Sequence, residues 1–210
     1  MRVLLRTERL MLRRLTEADA DHLVALDSDP EVMRYLTGGA PTPRDVIERE
    51  ILPRFLRSYE QGDGYGVWAV IERATGDFLG WLSFQRQVGG VPGSVSLGYR
   101  LRRSAWGKGY AAEGARALIR KGFAELGARR IVATTYQDNL ASRRVMEKVG
   151  MTLAHVYHLT PADLAAESDT FVSSGELWDG ADVEYELLRA DWERQEAAGD
   201  EKESRDAGLR

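Results

Sequence analysis

Hydrophobic and polar residues alternate along residues 95–102, and a turn with two glycines then leads into apolar residues at helical spacing. In the first part every second residue is apolar, as in a strand with one buried face: Val95, Leu97, Tyr99 and Leu101. After the turn the apolar residues form one stripe of a helix that Gly127 would end: Ala115, Leu118, Ile119, Phe123 and Leu126. The pattern therefore predicts a strand that enters a helix through Trp106-Gly107-Lys108-Gly109.

The same two patterns, alternation for strands and helical spacing for helices, predict the secondary structure of the rest of the chain. They predict further strands at residues 9–13, 65–71, 78–84, 130–136, 152–159 and 183–188. They predict helices that begin near residue 16 and at residue 30, and helices over 44–60 and 139–149. This order indicates a mixed α/β fold of the α+β type. We expect one domain over residues 1–192, a long polar connection over 161–182 and a charged, disordered tail over 193–210.

The glycine turn has a chemical consequence if it opens a helix. The first N–H groups of a helix have no partner within it and face outward, with the positive end of the helix dipole behind them. Gly107 and Gly109 let the backbone approach a ligand closely, so a diphosphate suits the turn. Glycines that serve only the turn itself are the alternative. A Walker A loop does not fit because Gly109, not Ser or Thr, follows Lys108, and a dinucleotide-binding turn normally opens the first βαβ unit.

Composition narrows the classes of function. The 210 residues include 29 basic and 33 acidic ones, for a net charge of −4, so no overall field attracts nucleic acid or an anionic membrane. No run approaches the roughly 18 apolar residues of a membrane span, and a cytoplasmic protein is expected. The absence of cysteine excludes disulfides, thiolate metal sites and a cysteine nucleophile. The three histidines, His22, His155 and His158, lack the spacing of a zinc site, so no metal is expected.

Four groups of residues together resemble the GNAT superfamily of acyl-CoA N-acyltransferases. The turn Trp106–Ala111 is followed about 30 residues later by Asn139-Leu140-Ala141-Ser142 and then by Glu147–Met151. The opening Thr7–Arg13, with Asp29–Leu36, is similar to the branch that acetylates ribosomal-protein N-termini (RimJ/RimL-like). The resemblance covers residues 7–188. It implies a single GNAT-like domain with a central, largely antiparallel sheet of six to seven strands flanked by helices.

The resemblance also implies acetyl-CoA as the acyl donor and assigns residues to it. The backbone amides of the turn would hold the CoA diphosphate: Trp106, Gly107, Lys108, Gly109, Tyr110 and Ala111. The backbone from Tyr99 to Leu101 would pair with the pantetheine as a strand does, and Asn139 would bind the pantetheine arm. Side chains of Arg102, Arg103 or Lys108 would meet the phosphates, with a solvated surface role as the alternative.

Three departures from the family's pattern matter: two affect the catalytic residues, and the third, at Ser104, leaves more of the phosphate binding to the backbone of the turn. Ser96 stands where relatives with a Glu-Ile-Gly-Tyr strand have glutamate, Met146 stands where others have an acidic tyrosine, and Ser104 replaces Gln or Arg. The general base is therefore not evident. Ser142 is the remaining catalytic candidate: it would contact the cofactor and protonate the leaving thiolate. The alternative is that its hydroxyl bonds a local backbone group.

We therefore expect an acetyl-CoA-dependent N-acetyltransferase that moves the acetyl group directly to a primary amine, on a protein N-terminus or a small molecule. A non-catalytic acyl-CoA-binding module is the alternative, and a nucleotide-binding protein comes third. We expect Thr37–Thr42 and residues 161–182 to line the acceptor's entrance, with a dimer contact or plain surface as the alternative for the second segment. Relatives are often dimers, but the sequence leaves a homodimer open.

Overall fold

One mixed sheet forms the centre of the molecule. The computed structural model describes residues 2–87, 91–158 and 180–207, with side chains up to residue 199. Within those ranges the sheet has eight strands in the order β1-β2-β3-β4-β5-β6-β8-β7. They are β1 (Val3–Arg6), β2 (Leu10–Arg14), β3 (Gly66–Glu72), β4 (Phe78–Arg86), β5 (Ser94–Leu101), β6 (Arg130–Tyr136), β7 (Thr152–Tyr157) and β8 (Asp182–Leu188). Neighbours are antiparallel except for β5 and β6, which are parallel.

The predicted fold class is confirmed, with one strand more than the largest number expected. The additional strand is β1, which pairs with β2 at one edge of the sheet. It has four residues, and none of them is fully buried. A short edge strand buries too little for an alternating pattern to show in the sequence.

Helices cover both faces of the sheet and make two hydrophobic clusters. On one face lie α5 (Tyr110–Ala124), α6 (Leu140–Lys148) and the start of α7 (Arg189–Ala207). On the other lie α1 (Ala20–Asp27), α2 (Pro30–Thr37), α3 (Arg44–Val46) and α4 (Leu52–Arg57). In β3, Trp68 and Val70 enter the first cluster while Val67 and Ala69 enter the second. Burial on both faces explains why β3 and β4 are continuous apolar runs and not alternating ones.

The helix predicted over residues 44–60 is interrupted at its centre. A π-helical turn, Ile47–Ile51, separates α3 from α4, and a 3₁₀ turn, Ser58–Gln61, follows α4. Pro53 lies in the first turn of α4 and has no N–H to donate to the preceding turn. The wider π turn accommodates the missing hydrogen bond, so Pro53 is compatible with the helical periodicity of this segment.

Close packing against the sheet fixes the position of α5. A β-carbon built on Gly122 would come within 2.4 Å of the ring of Phe84, which is fully buried in β4. A side chain at that position would force the helix away from the sheet. The same packing sets the position of the turn that precedes α5.

Most of the segment predicted as a disordered tail, residues 193–210, is described as part of α7, which continues to Ala207. Two short-range ion pairs, Arg189–Glu193 and Arg194–Asp191, stabilise its first turns. The Trp192 ring packs 5.3 Å from the ring of Phe123, which anchors the helix to the core. Over residues 189–199, where side chains are described, most of the helix is exposed, and its few anchoring residues carry little weight in a composition count, so the polar composition predicted disorder.

Candidate active site

A gap opens between the two parallel strands at the centre of the sheet. β5 and β6 pair only over Ser94–Ser96 with 130–132, although both strands continue beyond that point. From Leu97 to Leu101, β5 is paired on its β4 side, and β6 no longer pairs with its other edge. Such an open edge offers backbone N–H and C=O groups to an extended ligand. The predicted pantetheine-binding backbone, Tyr99 to Leu101, lies on this edge.

The glycine turn stands where β5 leads into α5. Gly107 has φ +73° and Gly109 has φ +81°, values that strain any residue with a β-carbon. Gly109 is the N-cap of α5 and provides no side chain to cap it. In the described part of the chain, the amides of Gly107, Lys108 and Gly109 have no hydrogen-bond acceptor. The turn therefore has the geometry of an anion site, with the helix dipole behind it.

Two of the residues predicted to bind the diphosphate, Trp106 and Tyr110, already make hydrogen bonds within the protein. The Trp106 amide donates to the carbonyl of Arg103 at 3.0 Å, and its indole N–H donates to the carbonyl of Leu101 at 2.8 Å. The Tyr110 ring is buried and its hydroxyl donates to Glu72, so only its backbone faces the turn. The Trp106 amide, predicted to hold the diphosphate, thus already has an acceptor in this structure, and that role stays a prediction. The free donors begin at Gly107.

The three basic candidates lie around this turn. Arg102 is half-buried, while Arg103 and Lys108 are exposed. Among the described residues, none of the three side chains has an ion-pair partner. All three cations are thus available to phosphates or to solvent, and their predicted role stays a prediction.

The N-terminus of α6 lies at the other end of the gap. Asn139 is its N-cap: the side-chain Oδ1 accepts from the amide of Ser142 at 3.2 Å. The Nδ2 of the same side chain donates to Thr135 Oγ1 on β6 at 3.1 Å. The amide side chain therefore has a structural task, and it keeps one N–H and one lone pair for a ligand.

Ser142 contacts β5 through Tyr99. The Tyr99 hydroxyl donates to the carbonyl oxygen of Ser142 at 2.9 Å and lies 3.0 Å from Ser142 Oγ. In the described contacts Ser142 Oγ bonds this phenol and no backbone group of its own turn. Burial raises the pKa of Tyr99, with the hydrogen bond from Ser142 opposing the shift, so the phenol stays neutral. Sequence spacing did not reveal this pair, since only the fold brings the two residues together.

A buried ion pair near the predicted acceptor loop was also missed. Arg100, on β5, donates to Asp27 Oδ2 at 2.6 Å, and both side chains are more than nine-tenths buried. The backbone amide of Thr42 donates to the carbonyl of Asp27 at 3.2 Å, which ties the 38–43 loop to the end of α1. The available signal was a charged residue, Arg100, next to the apolar positions Leu97 and Leu101 of a central strand.

The predicted acceptor segments are only partly described. The Thr37–Thr42 segment follows α2, whose Tyr35 hydroxyl donates to the carbonyl of Asp138 at 3.2 Å, next to the α6 N-cap. The helix before this segment therefore reaches one end of the gap. Most of the predicted 161–182 segment, residues 161–179, lies outside the described residues.

The chain is similar to known acetyltransferases in sequence. A family model described as Acetyltransferase (GNAT) domain matches residues 9–152. The chain belongs to the GNAT acetyltransferase family. The acetyltransferase is 34% identical over 152 residues to the uncharacterized protein YkkB of Bacillus subtilis (strain 168). The matched region covers 69% of this chain and 83% of YkkB. It is 28% identical over 201 residues to the FsC-acetyl coenzyme A-N(2)-transacetylase of Aspergillus fumigatus, covering 91% of this chain and 79% of that enzyme.

Solved structures agree with this assignment. RimL, a ribosomal L7/L12 alpha-N-protein acetyltransferase solved in complex with coenzyme A, has a TM-score of 0.67 at 18% identity, covering 89% of this chain and 97% of RimL. The predicted family is therefore confirmed, and the chain shares the fold of RimL. The chain is an N-acetyltransferase, and its family uses acetyl-CoA.

Two further findings concern membranes and metals. Over residues 2–87, 91–158 and 180–207, no helix is both long and apolar enough to cross a membrane. Over the same ranges, no three His, Asp or Glu side chains are grouped so that they could hold a metal ion.

Proposed function

We propose that this acetyltransferase transfers the acetyl group of acetyl-CoA directly to a primary amine bound at the gap between β5 and β6. The observation that carries the proposal is the gap itself, with unpaired amides at one end and the Tyr99–Ser142 pair at the other. The turn would hold the diphosphate, the open edge of β5 would pair with the pantetheine, and the thioester would lie near Ser142. In this proposal an extended cofactor would lie along the gap.

The chemistry needs no protein nucleophile. An acceptor amine, with a pKa of about 8 to 10.4 depending on its type, must lose a proton before it attacks the thioester carbon. A backbone N–H at the open edge of β5 would polarise the carbonyl oxygen. The C–S bond then breaks, and the proton released by the amine ends on the departing thiolate, by way of water or of Ser142.

Ser142 would serve the sulfur through a hydrogen bond. A neutral serine or tyrosine hydroxyl is a weaker acid than a thiol, so neither gives up its proton to the thiolate outright. A hydrogen bond to a charged acceptor is stronger than one to a neutral group, so the Ser142 hydroxyl would help most as the sulfur becomes negative. In this structure the one hydrogen of the Tyr99 hydroxyl goes to the Ser142 carbonyl, so the Ser142 hydroxyl donates to Tyr99. Ser142 would turn that hydrogen from the Tyr99 oxygen to the sulfur.

Residues Thr37–Thr42 would line the acceptor's entrance. The loop is tied to the end of α1, and the helix before it contacts the carbonyl of Asp138 at the base of α6. The names of relatives include an N(2)-transacetylase and an α-N-protein acetyltransferase, so a small-molecule amine and a protein N-terminus are both reasonable acceptors.

Release of CoA from acetyl-CoA in the presence of a panel of amines tests the proposal. The panel contains peptides with free N-termini, polyamines and amino-group metabolites. We expect release with at least one class, together with an acetylated product of matching mass. CoA at 100 times its Kd should add about 2.7 kcal/mol of stability, which a thermal shift would detect. Such stabilisation, with no CoA released from acetyl-CoA in the presence of any amine, would favour the non-catalytic acyl-CoA-binding alternative.

A further inference from the structure

The guanidinium of Arg9 lies directly behind the glycine turn. Arg9 precedes β2, yet its Nη1 donates to the carbonyl oxygen of Lys108 at 2.9 Å. Its Nε donates to Glu113 Oε2 at 2.7 Å, and its Nη2 lies 2.6 Å from the same oxygen. The guanidinium carbon stands 4.7 Å from the centre of the Tyr110 ring. One side chain from a distant part of the sequence therefore contacts both the glycine turn and the first turn of α5.

The contact with Lys108 fixes the direction of an amide. The peptide between Lys108 and Gly109 is trans, so its C=O and N–H groups point in opposite directions. Because the carbonyl is hydrogen bonded to Arg9, the Gly109 N–H must point away from Arg9. The Gly109 amide has no acceptor in the described part of the chain, so this donor is held ready for a ligand.

The contact with Glu113 removes an unfavourable charge. Glu113 lies in the first turn of α5, and its carboxylate is mostly buried. Burial opposes its ionisation, but hydrogen bonds from Thr7 and from Arg9 outweigh burial, and the pKa of Glu113 stays below its usual value. An unpaired carboxylate there would repel a diphosphate. The cation of Arg9 cancels that charge.

We infer that Arg9 is a positioning residue for the CoA diphosphate, holding the Lys108–Gly109 peptide in its anion-binding orientation and neutralising Glu113 behind it. The inference rests on the proposed function, because it takes the diphosphate to be bound at this turn. It has a specific consequence: loss of Arg9 affects acyl donors that carry a diphosphate and leaves donors without one unaffected.

Steady-state kinetics with two acyl donors test it. Acetyl-CoA carries the diphosphate, and S-acetylpantetheine lacks it. Arg9→Met keeps an aliphatic chain beside Tyr110 and removes every donor; we expect kcat/KM for acetyl-CoA to fall about tenfold, mainly through KM, with less than about a twofold change for S-acetylpantetheine.

Arg73→Met is the matched control. Arg73 donates to the carbonyls of Thr7 and Glu8 in the same hairpin, at 2.6 and 2.9 Å, and does not contact the glycine turn. It should change neither donor's kinetics. An equal loss for both donors in Arg9→Met, or no loss for either, would overturn the inference, since a merely structural ion pair has no reason to distinguish them.

A second substitution tests whether Arg9 neutralises Glu113. It also keeps the inference testable if the single variant Arg9→Met folds poorly. Glu113→Gln in the Arg9→Met background removes the uncompensated carboxylate and should recover part of the lost acetyl-CoA affinity. If the recovery fails although the single and the double variant are both folded, the result counts against neutralisation of Glu113 by Arg9.

A different result would contradict the proposed function. If the wild-type enzyme has the same kcat/KM for S-acetylpantetheine as for acetyl-CoA, the diphosphate is not bound at the turn. Arg9→Lys keeps the charge without the two-sided fork, and we expect an intermediate loss specific to acetyl-CoA.

Discussion

The two ends of the gap between β5 and β6 are built from different parts of the chain. At one end, three consecutive residues present backbone amides, and the glycines among them make the conformation accessible. At the other end, two side chains separated by 43 residues, Tyr99 and Ser142, meet only because β5 and α6 pack together. A backbone site should tolerate changes of side chain and fail when the backbone is blocked. A side-chain site should do the reverse.

Replacement of Ser142 should have the largest effect. Ser142→Ala removes the hydroxyl but keeps the N-cap, because Asn139 bonds the backbone amide of residue 142. We expect kcat to fall about 100-fold, with little change in acetyl-CoA affinity, because the hydroxyl acts only as charge develops on sulfur. Kinetics under conditions where chemistry limits the rate provide the measurement. A variant with more than about a third of the wild-type kcat would remove Ser142 from the mechanism and leave water as the proton source.

Blocking the backbone end should come next. Gly109→Val puts a β-branched side chain at a positive φ, with its β-carbon 3.5 Å from Arg9 Nη2, so it strains the turn and disturbs the guanidinium behind it. We expect at least a tenfold loss of CoA affinity, about 1.4 kcal/mol, by calorimetric titration. Gly127→Val is the matched control. It places the same side chain at φ +71° at the other end of α5, where nothing lies within 4 Å. Equal affinities of the two folded variants would contradict a diphosphate site at Gly109.

Removal of the Tyr99 hydroxyl should have an intermediate effect. Tyr99→Phe deletes both hydrogen bonds between the Tyr99 hydroxyl and Ser142, and we expect kcat to fall about fivefold, corresponding to about 1 kcal/mol. Because burial raises the pKa of Tyr99, it loses its proton only above its ordinary value of about 10, so the pH–rate profile below that value should keep its shape. Tyr65→Phe removes a hydroxyl that bonds the carbonyl of Leu126 and should lower stability without lowering kcat. A changed pH profile in Tyr99→Phe would show that the phenol titrates during turnover.

The smallest effect is expected from the exposed cation in the turn. Lys108→Ala leaves the backbone amides in place, and a solvent-screened charge contributes only about 0 to 1 kcal/mol. Affinity for CoA should change by less than about threefold, and the difference should shrink further at high salt. A tenfold loss at physiological salt would mean that the side chain, and not the backbone, holds the phosphates.

The sequence predicted the parts of the site whose signals are local. Alternation along β5, the two glycines and the Asn139 cap each involve neighbouring residues, and the structure places all of them as expected. The gap itself could not be predicted, because strand periodicity says nothing about where a ladder between two strands ends. The pairing of β5 with β6 stops after Ser96, and that is a property of the whole sheet.

The residues that support the site were missed for the same reason. Arg9 and Glu113 are 104 residues apart, and each alone has the character of an ordinary surface residue. The Trp106 amide was assigned to the diphosphate because the resemblance treats the turn as a unit, whereas the structure shows a 3₁₀ turn, Arg103–Ala105, that already uses this donor. Contacts between distant residues need the fold before they can be counted.

The order β6-β8-β7 at one edge of the sheet has a consequence for how the protein is made. β8 lies between two strands that are synthesised before it, and in the described structure β7 pairs with β8 and not with β6. While the chain emerges from the ribosome, residues 152–157 therefore wait without a partner until residues 182–188 arrive. Both β6 and β7 keep open edges during that interval, and open edges recruit other chains. Slow translation between these two segments should lengthen that exposure, and fast translation between them should shorten it.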